Sequence, residues 1–244
     1  MDQEKNTINF LFDELLTGGA TLSAHELAQK TGANIIATFD NEELEKYFKI
    51  KRTGLSARNP GIDITFTPKL KGDYAYIRTK DGRWLNHEEP IIAVSNFIKE
   101  WLESNGKEVA VVIGNGTRDC FKNLNIERDI DVLLCGNYED NKNIDETIRE
   151  AKKIGNKIVW FGRYTKQFEG VENISSPKLE DIPILYNRAK TFISMSKCEG
   201  FSRPIAEATA CGFEVLNYNG GNRDVEVVSW DTIGKELLNF LYDN

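Results

Sequence analysis

Short apolar runs alternate with longer amphipathic stretches along most of this chain, and no other feature constrains its fold as strongly. Runs such as Ile8–Phe12, Val109–Ile113 and Asp131–Cys135 have the length and composition of strands, and the stretches between them have helical periodicity. Strands that alternate with helices form parallel sheets covered by helices, because each crossover helix packs on the sheet. The alternation therefore predicts an α/β protein built from βαβ units.

A break in this alternation divides the chain. Between Asn115 and Arg128, Gly, Asn and charged residues replace the apolar pattern, which then restarts. We therefore predict two Rossmann-like domains, residues 1–122 and 123–229, and a C-terminal helix within 230–244 that packs back on a core. The cleft between two such domains is the expected ligand site.

The composition excludes several classes of protein. The chain has 244 residues, of which 40% are hydrophobic and 28% charged, the profile of a globular protein. It contains no apolar run close to the ~18 residues of a membrane span, and its first residues lack the order of a signal peptide. Four scattered cysteines and two histidines favour free thiols over a disulfide scaffold or a zinc site. We expect a cytoplasmic protein without a transmembrane segment.

Charge is distributed unevenly along the chain. The net charge of −7 argues against a nucleic-acid partner. The segment from Glu45 to Lys80, however, holds nine basic and three acidic residues, a net charge of +6. Two interpretations stay open: a solvated face, or a surface that attracts an anionic or lipid-linked partner, in which case the protein is peripheral at the membrane.

Two glutamates separated by seven residues form the most informative motif. Glu199 precedes a short Gly-containing turn, and Glu207 lies about one turn into a helix that we expect to begin near Pro204. The N-terminus of a helix presents backbone N–H groups that suit a phosphate. Carboxylates would repel a bare phosphate but accept strong hydrogen bonds from the hydroxyl groups of a ribose or a hexose. The alternative is two unrelated glutamates with no common ligand.

This segment resembles the E-x7-E signature of retaining glycosyltransferases of family 4, commonly E-G-F-G-L-P-x-x-E-A-M-A-C-G-x-P-V. Its departures from that pattern include Ser202, Arg203 and Thr209, where the family usually has Gly, Leu and Met. The positions that fit the pattern are Glu199, Gly200, Phe201, Pro204, Glu207, Ala208, Ala210, Cys211, Gly212 and Val215.

Other pieces of the chain resemble the same family in the same order. They are Gly18-Gly19 with the helix around His25, the segment from Ile91 to Thr117, the segment from Val132 to Lys142, and Asn219 to Val228. Residues 40–90 match only loosely and look shortened. The resemblance implies a small member with the two-domain GT-B fold. It further implies a metal-independent, retaining transfer of a hexose from a nucleotide diphosphate sugar, of UDP or GDP type, to a hydroxyl acceptor, with no separate cofactor.

The resemblance also implies roles for individual residues. Glu207 resembles the carboxylate that binds the donor ribose, and Glu199 resembles the one that touches the donor sugar near the reacting carbon. Lys142 matches the basic residue that neutralises the diphosphate leaving group, where negative charge develops in the transition state. The main chain around the turn is implied to hold the sugar and the diphosphate, which makes Gly200, Phe201, Ser202 and Arg203 donor-binding candidates.

Further donor-binding candidates follow from the resemblance. Gly18 and Gly19 match a glycine loop whose backbone approaches the donor. The stretch from Ile174 to Pro177 matches the turn where the family holds the base, which makes Ile174 and Ser175 candidates for that contact.

Two departures from the family pattern keep other functions open. Asn137 stands where the family has an Arg that assists the leaving group, so that Arg203 or Arg163 would have to supply the missing charge. Ser202 stands where the family usually has Gly. The alternatives are a degenerate GT-B subunit that binds a nucleotide sugar without transferring it, and a nucleotide-sugar epimerase.

Weaker signals remain in both halves of the chain. Arg78, at the end of a predicted strand, and His87, in a polar stretch, are equal candidates for a residue of the N-terminal domain near the donor sugar. Asp129 and Asp131 have the D-x-D spacing of metal-dependent transferases but lead straight into an apolar strand. We interpret them as structural and expect no metal site.

Overall fold

A computed structural model describes residues 7–12, 19–37, 52–53, 60–163, 166–221 and 225–243, with the backbone alone for residues 19, 20, 52 and 53. The chain divides into two compact units, Met1–Gly116 with Val228–Asn244, and Thr117–Val227. The boundaries therefore differ from those that the sequence suggested, at 122/123 and 229/230. The residues after Gly116 belong to the second unit because Phe121 is only 4% exposed and packs in its core.

The described regular elements alternate along the chain. The α-helices are α1 (Gly19–Thr31), α2 (Asn96–Ser104), α3 (Ile144–Ile154), α4 (Ile182–Asn187), α5 (Arg203–Ala210) and α6 (Trp230–Tyr242). The strands are β1 (Ile8–Phe12), β2 (Asn34–Ala37), β3 (Arg52–Thr53), β4 (Ile62–Thr65), β5 (Tyr74–Ile77), β6 (Ile91–Ala93), β7 (Val109–Val112), β8 (Ile130–Cys135), β9 (Ile158–Gly162), β10 (Val171–Ser175), β11 (Ala189–Ser194) and β12 (Glu214–Asn217). None of the helices in the described ranges is long and apolar enough to span a bilayer.

The first unit contains a seven-stranded parallel sheet in the order β3-β2-β1-β4-β5-β6-β7. Strand β1 lies inside this sheet, where Phe10 is opposite Ile35 on one side and Ile64 on the other. All five residues of β1 are buried, which explains why it has no polar alternation.

Helix α6 belongs to the first unit although it follows the whole second unit in the sequence. Ser229 caps its start by accepting a hydrogen bond from the N–H of Thr232 at 3.2 Å. The helix packs on α1, where Lys30 and Asp231 form an ion pair at 2.8 Å. A Cβ on Gly234 would lie 2.8 Å from the Cβ of Lys30, so glycine is required for this close approach of the two helices.

The second unit contains a five-stranded parallel sheet in the order β10-β9-β8-β11-β12. Leu133, Val159 and Phe192 face α4 and α5, and form one core cluster with residues of those helices such as Ile205. Residues between them in the same strands, such as Trp160, form a second cluster with α3 on the other side of the sheet. Both faces are covered, which is why the inner strands β8 and β9 are mainly apolar. Two parallel α/β units confirm the fold class that the alternation predicts.

Strand β10 corrects one expectation from the sequence. Ile174 and Ser175 were assigned to a turn, but they are the last two residues of β10 and pair with Phe161 and Gly162 of β9. The turn follows at Ser176, whose φ is +50°. Only two residues of β10 are aliphatic and the strand lies at the sheet edge, so its hydrophobic pattern is too weak to identify it.

Candidate functional site

The candidate site lies at the carboxyl edge of the second sheet, where β8 and β11 are neighbours. From β8 the chain runs outward through β9 and β10, then crosses to β11 on the other side of β8. This reversal makes the β8–β11 edge a topological switch point, the position where open α/β sheets bind their ligands. Lys142 follows β8, and both glutamates of the E-x7-E motif follow β11.

Lys142 and Glu199 form an ion pair at this edge. The Nζ of Lys142 lies 2.5 Å from Oε1 of Glu199, and the side chains are 27% and 15% exposed. Lys142 ends a short 3-10 turn, Asp140–Lys142, and the chain reaches that turn through Gly136 with φ +144°. The sequence analysis predicts Lys142 and Glu199 as site residues without predicting a contact between them. The structure brings them into contact across 57 positions of the chain.

The main chain of Glu199 is fixed by the loop that follows β12. Its N–H donates to the carbonyl oxygen of Gly220 at 3.1 Å, and Glu199 forms a parallel bridge with Gly221. A Cβ on Gly220 would lie 2.0 Å from the carbonyl oxygen of Lys197, so only glycine fits between the two loops. The Gly-Gly pair therefore holds the loop that carries Glu199.

Helix α5 carries the second acid–base pair. Ser202 is its N-cap residue but makes no side-chain capping hydrogen bond, and Arg203 is its first residue. Nη2 of Arg203 lies 3.2 Å from Oε1 of Glu207, one turn further on, and the side chains are 9% and 12% exposed. Gly200 and Phe201, both half-buried, form the turn that leads from Glu199 to this helix.

The thiol of Cys135, at the end of β8, connects the two pairs electrostatically. Burial and the negative charge of Glu207 raise the pKa of Cys135 to about 12, while the positive charge of Lys142 opposes this rise. Burial and Glu207 also raise the pKa of Tyr186, on α4, well above its usual range. The thiol and the phenol therefore stay protonated at neutral pH. Each carboxylate of the motif is neutralised by a cation of the same chain, so the site can accept an anion without a large repulsion.

The other candidates of the second unit lie at the ends of β8, β9 and β10. The side chain of Asn137 bonds within the protein: its Oδ1 accepts from the N–H of Arg163 at 3.0 Å, and its Nδ2 donates to Glu139 at 2.9 Å. The hydroxyl of Ser175 donates to the carbonyl oxygen of Arg163 at 3.3 Å. Asn137 and Ser175 thus meet at Arg163, at the same carboxyl edge as the two acid–base pairs.

The D-x-D pair lies at the opposite end of β8. Asp129 accepts hydrogen bonds from Nε of Arg188 at 2.7 Å and from Lys157 at 2.5 Å. Asp131 accepts from Lys190 at 2.7 Å and from two backbone N–H groups. Within the described ranges, no group of three or more His, Cys, Asp or Glu side chains is arranged to hold a metal ion.

The remaining candidates, Gly18, Gly19, Arg78 and His87, belong to the first unit. Gly18 lies outside the described residues, and Gly19 is the first residue of α1. Arg78 follows β5 and is half-buried. His87 is buried, with Nδ1 at 3.1 Å from Glu89 and Nε2 at 3.2 Å from the carbonyl oxygen of Pro68. Both ring nitrogens of His87 are therefore engaged inside the unit.

Sequence reasoning missed the residues that hold the site together. Asn141 bonds to the peptide of Cys198, and the Oδ1 of Asn219 accepts from the hydroxyl of Ser194 at 2.7 Å and from the N–H of Ser196 at 2.8 Å. The one available signal was position, since each asparagine follows a strand by a few residues.

Comparisons with known proteins agree with this architecture. No protein-family model matches the chain. The chain is 25% identical over 210 residues to the uncharacterized glycosyltransferase MJ1178 of Methanocaldococcus jannaschii, a match that includes 78% of this chain. It spans 59% of the length of that relative.

Solved glycosyltransferase structures share the fold at low sequence identity. HepE of Anabaena, in complex with UDP and glucose, aligns over 98% of this chain and 90% of its own with a TM-score of 0.73 and 15% identity. A glycosyltransferase of Rickettsia africae aligns over 98% of this chain and 89% of its own with a TM-score of 0.68 and 16% identity. The chain thus has the GT-B type of fold and is similar in sequence to a glycosyltransferase.

Proposed function

We propose that this chain is a family-4-type glycosyltransferase that transfers a hexose from a nucleotide diphosphate sugar to a hydroxyl acceptor, with retention. The observation that carries the proposal is that two acid–base pairs, Lys142–Glu199 and Arg203–Glu207, lie on the segments that follow β8 and β11, at the switch point of the second sheet. Binding of UDP and UDP-glucose by HepE, which shares the fold, supports a UDP-type donor. A GDP-type donor fits the same chemistry.

Glu207 is the proposed ribose ligand. Arg203 bonds one carboxylate oxygen at 3.2 Å, which orients the group so that the other oxygen can accept from a ribose hydroxyl. The start of α5, which Ser202 does not cap through its side chain, suits the diphosphate because backbone N–H groups and the helix dipole favour an anion there. Both contacts are made before and during transfer.

Lys142 and Glu199 are the proposed groups at the reacting end of the donor. As the bond between the sugar and the diphosphate breaks, negative charge grows on the leaving group, and the Lys142 ammonium stabilises it. Arg203 is the proposed second cation, in place of the arginine that the resemblance expects at Asn137. These two cations supply the charge that a metal ion supplies in other transferases, so the proposed reaction uses neither a metal nor a cofactor.

The proposed acceptor is anionic, for example a lipid-linked phosphate, and is attracted by the basic segment 45–80. Lys69, Lys71, Arg78 and Lys80 lie in the described part of this segment, and Lys80 stacks on Phe97 with its Nζ 3.7 Å from the ring centroid. The protein would then act in the cytoplasm at the membrane surface. Reversing the charge of Lys69 and Lys71 should lower kcat/KM for the acceptor mainly at low salt, whereas equal activity at all salt concentrations would contradict the proposal.

The test of the proposed function separates the two glutamates. Glu207→Gln should weaken UDP binding by about 1.5–3 kcal/mol, the contribution of a hydrogen bond to a charged group, as measured by calorimetry. Glu199→Gln should leave the affinity for UDP nearly unchanged, because UDP lacks the sugar, and should lower kcat. Glu214→Gln, at the start of β12 and so at the opposite sheet edge, is the matched control and should change neither quantity. Equal losses of UDP affinity in the first two variants would contradict these roles.

A nucleotide-sugar-binding subunit without transfer activity is the second candidate. The observation that favours it is the occupied side chain of Asn137, which leaves Lys142 without the expected arginine at its side. A panel of UDP-, GDP- and ADP-sugars distinguishes the two functions. A transferase releases nucleotide diphosphate from one of these donors, whereas a binding subunit shows only a thermal shift.

A further inference from the structure

Asn141 joins the two loops that carry Lys142 and Glu199. Its Nδ2 donates to the carbonyl oxygen of Cys198 at 3.0 Å, and its Oδ1 accepts from the N–H of the same residue at 3.1 Å. Its own carbonyl oxygen accepts from the N–H of Lys197 at 2.8 Å. The side-chain amide therefore pairs with the peptide of Cys198 as a neighbouring strand would.

The sequence position of these bonds relates them to the ion pair. Asn141 directly precedes Lys142, and Cys198 directly precedes Glu199, so each charged residue is one position from the amide pairing. On the other side of Lys142, Nδ2 of Asn143 donates to the carbonyl oxygen of Met195 at 3.2 Å. Lys142 is thus bracketed by two asparagines that bind the loop of Glu199.

Besides these bonds, the ion pair between Lys197 and Asp140, at 2.5 Å and with both side chains largely exposed, joins the same two loops. The turn Asp140–Lys142 is only three residues long, and its N-cap Glu139 makes no side-chain capping bond. Asn141 is exposed, so it contributes hydrogen bonds rather than buried area. A lysine side chain has many rotamers, and it loses conformational entropy when it pairs with one carboxylate. This loss is smaller when the main chains of Lys142 and Glu199 are already held at a fixed separation.

The loop of Glu199 has an independent support. Asn219 accepts hydrogen bonds from Ser194 and Ser196, and Gly220 bonds to both Ser196 and Glu199. Loss of the Asn141 amide should therefore shift the two loops relative to each other without unfolding the loop after β11.

We propose that Asn141 is a positioning residue that sets the separation between the Lys142 ammonium and the Glu199 carboxylate at the reacting end of the donor. The roles of these two charged groups rest on the function proposed above. Asn141 contacts neither Arg203 nor Glu207 in the hydrogen bonds of the described residues, so its removal should affect the chemical step more than nucleotide binding.

The kinetic test compares Asn141→Ala with a matched control. Asn105→Ala removes another exposed amide, whose Nδ2 donates to the carbonyl oxygen of Trp101 at 2.7 Å in the first unit. We expect Asn141→Ala to lower kcat on the order of ten- to a hundredfold, because small displacements of catalytic groups have effects of this size. The Kd for UDP should stay the same, and Asn105→Ala should change neither quantity. Asn141→Asp, which keeps the acceptor for the N–H of Cys198, should recover part of the lost rate.

A double-mutant cycle tests whether Asn141 acts through the ion pair. In a Lys142→Ala background, Asn141→Ala should cause no further loss of kcat. Additive losses, an unchanged kcat, or an equal loss of UDP affinity would each overturn the proposal.

A chemical readout keeps the test independent of activity. The rate at which an amine-acylating reagent labels Lys142, measured by mass spectrometry, should rise several-fold in Asn141→Ala, because an ammonium held in an ion pair is less available to the reagent. Labelling of Lys152, exposed on α3, should not change, which excludes general unfolding. If the wild-type protein neither transfers nor hydrolyses any donor, the proposed function fails. An unchanged labelling rate at Lys142 refutes the positioning role in either case.

Discussion

The pair formed by Arg203 and Glu207 gives the sharpest prediction about the stability of the second unit. The two groups lie 3.2 Å apart with side chains only 9% and 12% exposed. Removing one partner of a buried pair costs about 3–5 kcal/mol, because it leaves an uncompensated charge in the interior. Some exposure remains, so we expect Arg203→Met to lower the free energy of unfolding by about 3 kcal/mol, at the lower end of that range.

The double variant identifies the cause of this loss. Arg203→Met with Glu207→Gln removes both charges and leaves side chains of similar size. It should be close to the wild type in stability, because an ion pair replaced by neutral groups is often of equal stability. The losses of the two single variants should therefore not add.

Hydrogen exchange is the suitable assay. Trp84 and Trp230 lie in the first unit and Trp160 in the second, so tryptophan fluorescence would report the unfolding of both units together. Exchange of the buried amides of β8 and β11 reports the second unit alone. A loss of 3 kcal/mol should accelerate their exchange by about a hundredfold.

A surface pair on the same unit provides the control. Lys153 and Glu150 on α3 are 2.5 Å apart, with side chains 64% and 31% exposed, and such pairs contribute about 0–1 kcal/mol. Lys153→Met should therefore change the exchange rates little. If Arg203→Met has no larger effect than Lys153→Met, or if the single losses add in the double variant, the reasoning from burial is wrong.

Three further predictions follow from individual contacts. Burial lowers the pKa of His25 below its usual 6.5, so the unfolded chain binds a proton at a higher pH than the folded chain does. The free energy of unfolding should therefore fall as the pH drops below 6.5. In urea unfolding, His25→Gln should weaken this pH dependence. A Cβ on Gly162 would lie 2.2 Å from the carbonyl oxygen of Gly136, so Gly162→Ala should lower the free energy of unfolding by about 1–3 kcal/mol, as measured by calorimetry. A Cβ on Gly82 would meet no atom within 4 Å, so Gly82→Ala should cause no such loss. Hydrogen bonds from Lys190 and two backbone N–H groups lower the pKa of Asp131 to about 2, so its contribution to stability is complete above pH 3.8 and is lost as the pH falls towards 2; acid titration of Asp131→Asn should lack this component.

Much of the fold could be predicted from the sequence because its core strands are buried on both faces. Strands β1 and β8 are mainly apolar, with Asn9 and Asp131 as their single polar residues, and both lie inside their sheets. The amphipathic pattern of α3 places Ile144, Ile148 and Ala151 against the sheet and its charged residues towards solvent. Local composition is sufficient where burial alone decides the structure.

The domain boundary could not be predicted for the opposite reason. The segment after Gly116 is polar, and the break that it makes in the pattern suggested a linker. Its fold depends on long-range contacts, among them the edge-to-face packing of Phe121 on Tyr186 at 5.5 Å and the hydrogen bond from the N–H of Leu124 to Asn187 at 2.8 Å. Nothing in the segment itself indicates either partner.

The candidate site was partly accessible to sequence reasoning. The local motif was sufficient to predict a helix start close to Arg203 with Glu207 one turn along it. No local pattern indicates that Lys142 pairs with Glu199, because the two are brought together by the register of β8 against β11 and by polar loop contacts. The assignment of catalytic and binding roles to these residues stays a prediction that the experiments above test.

The return of α6 to the first unit has a consequence for synthesis on the ribosome. The chain leaves the first unit at Gly116 and re-enters it at Val228, and a Cβ on Gly116 would lie 2.7 Å from Cα of Trp230, so the outgoing and returning segments are side by side. The second unit is contiguous and can fold as soon as it emerges, whereas the first unit lacks its α6 until later codons are translated. Multidomain chains usually complete their domains in order of synthesis. Here the earlier unit should be the later one to finish, and the surface of α1 that α6 covers is the region that a chaperone would meet on the nascent chain.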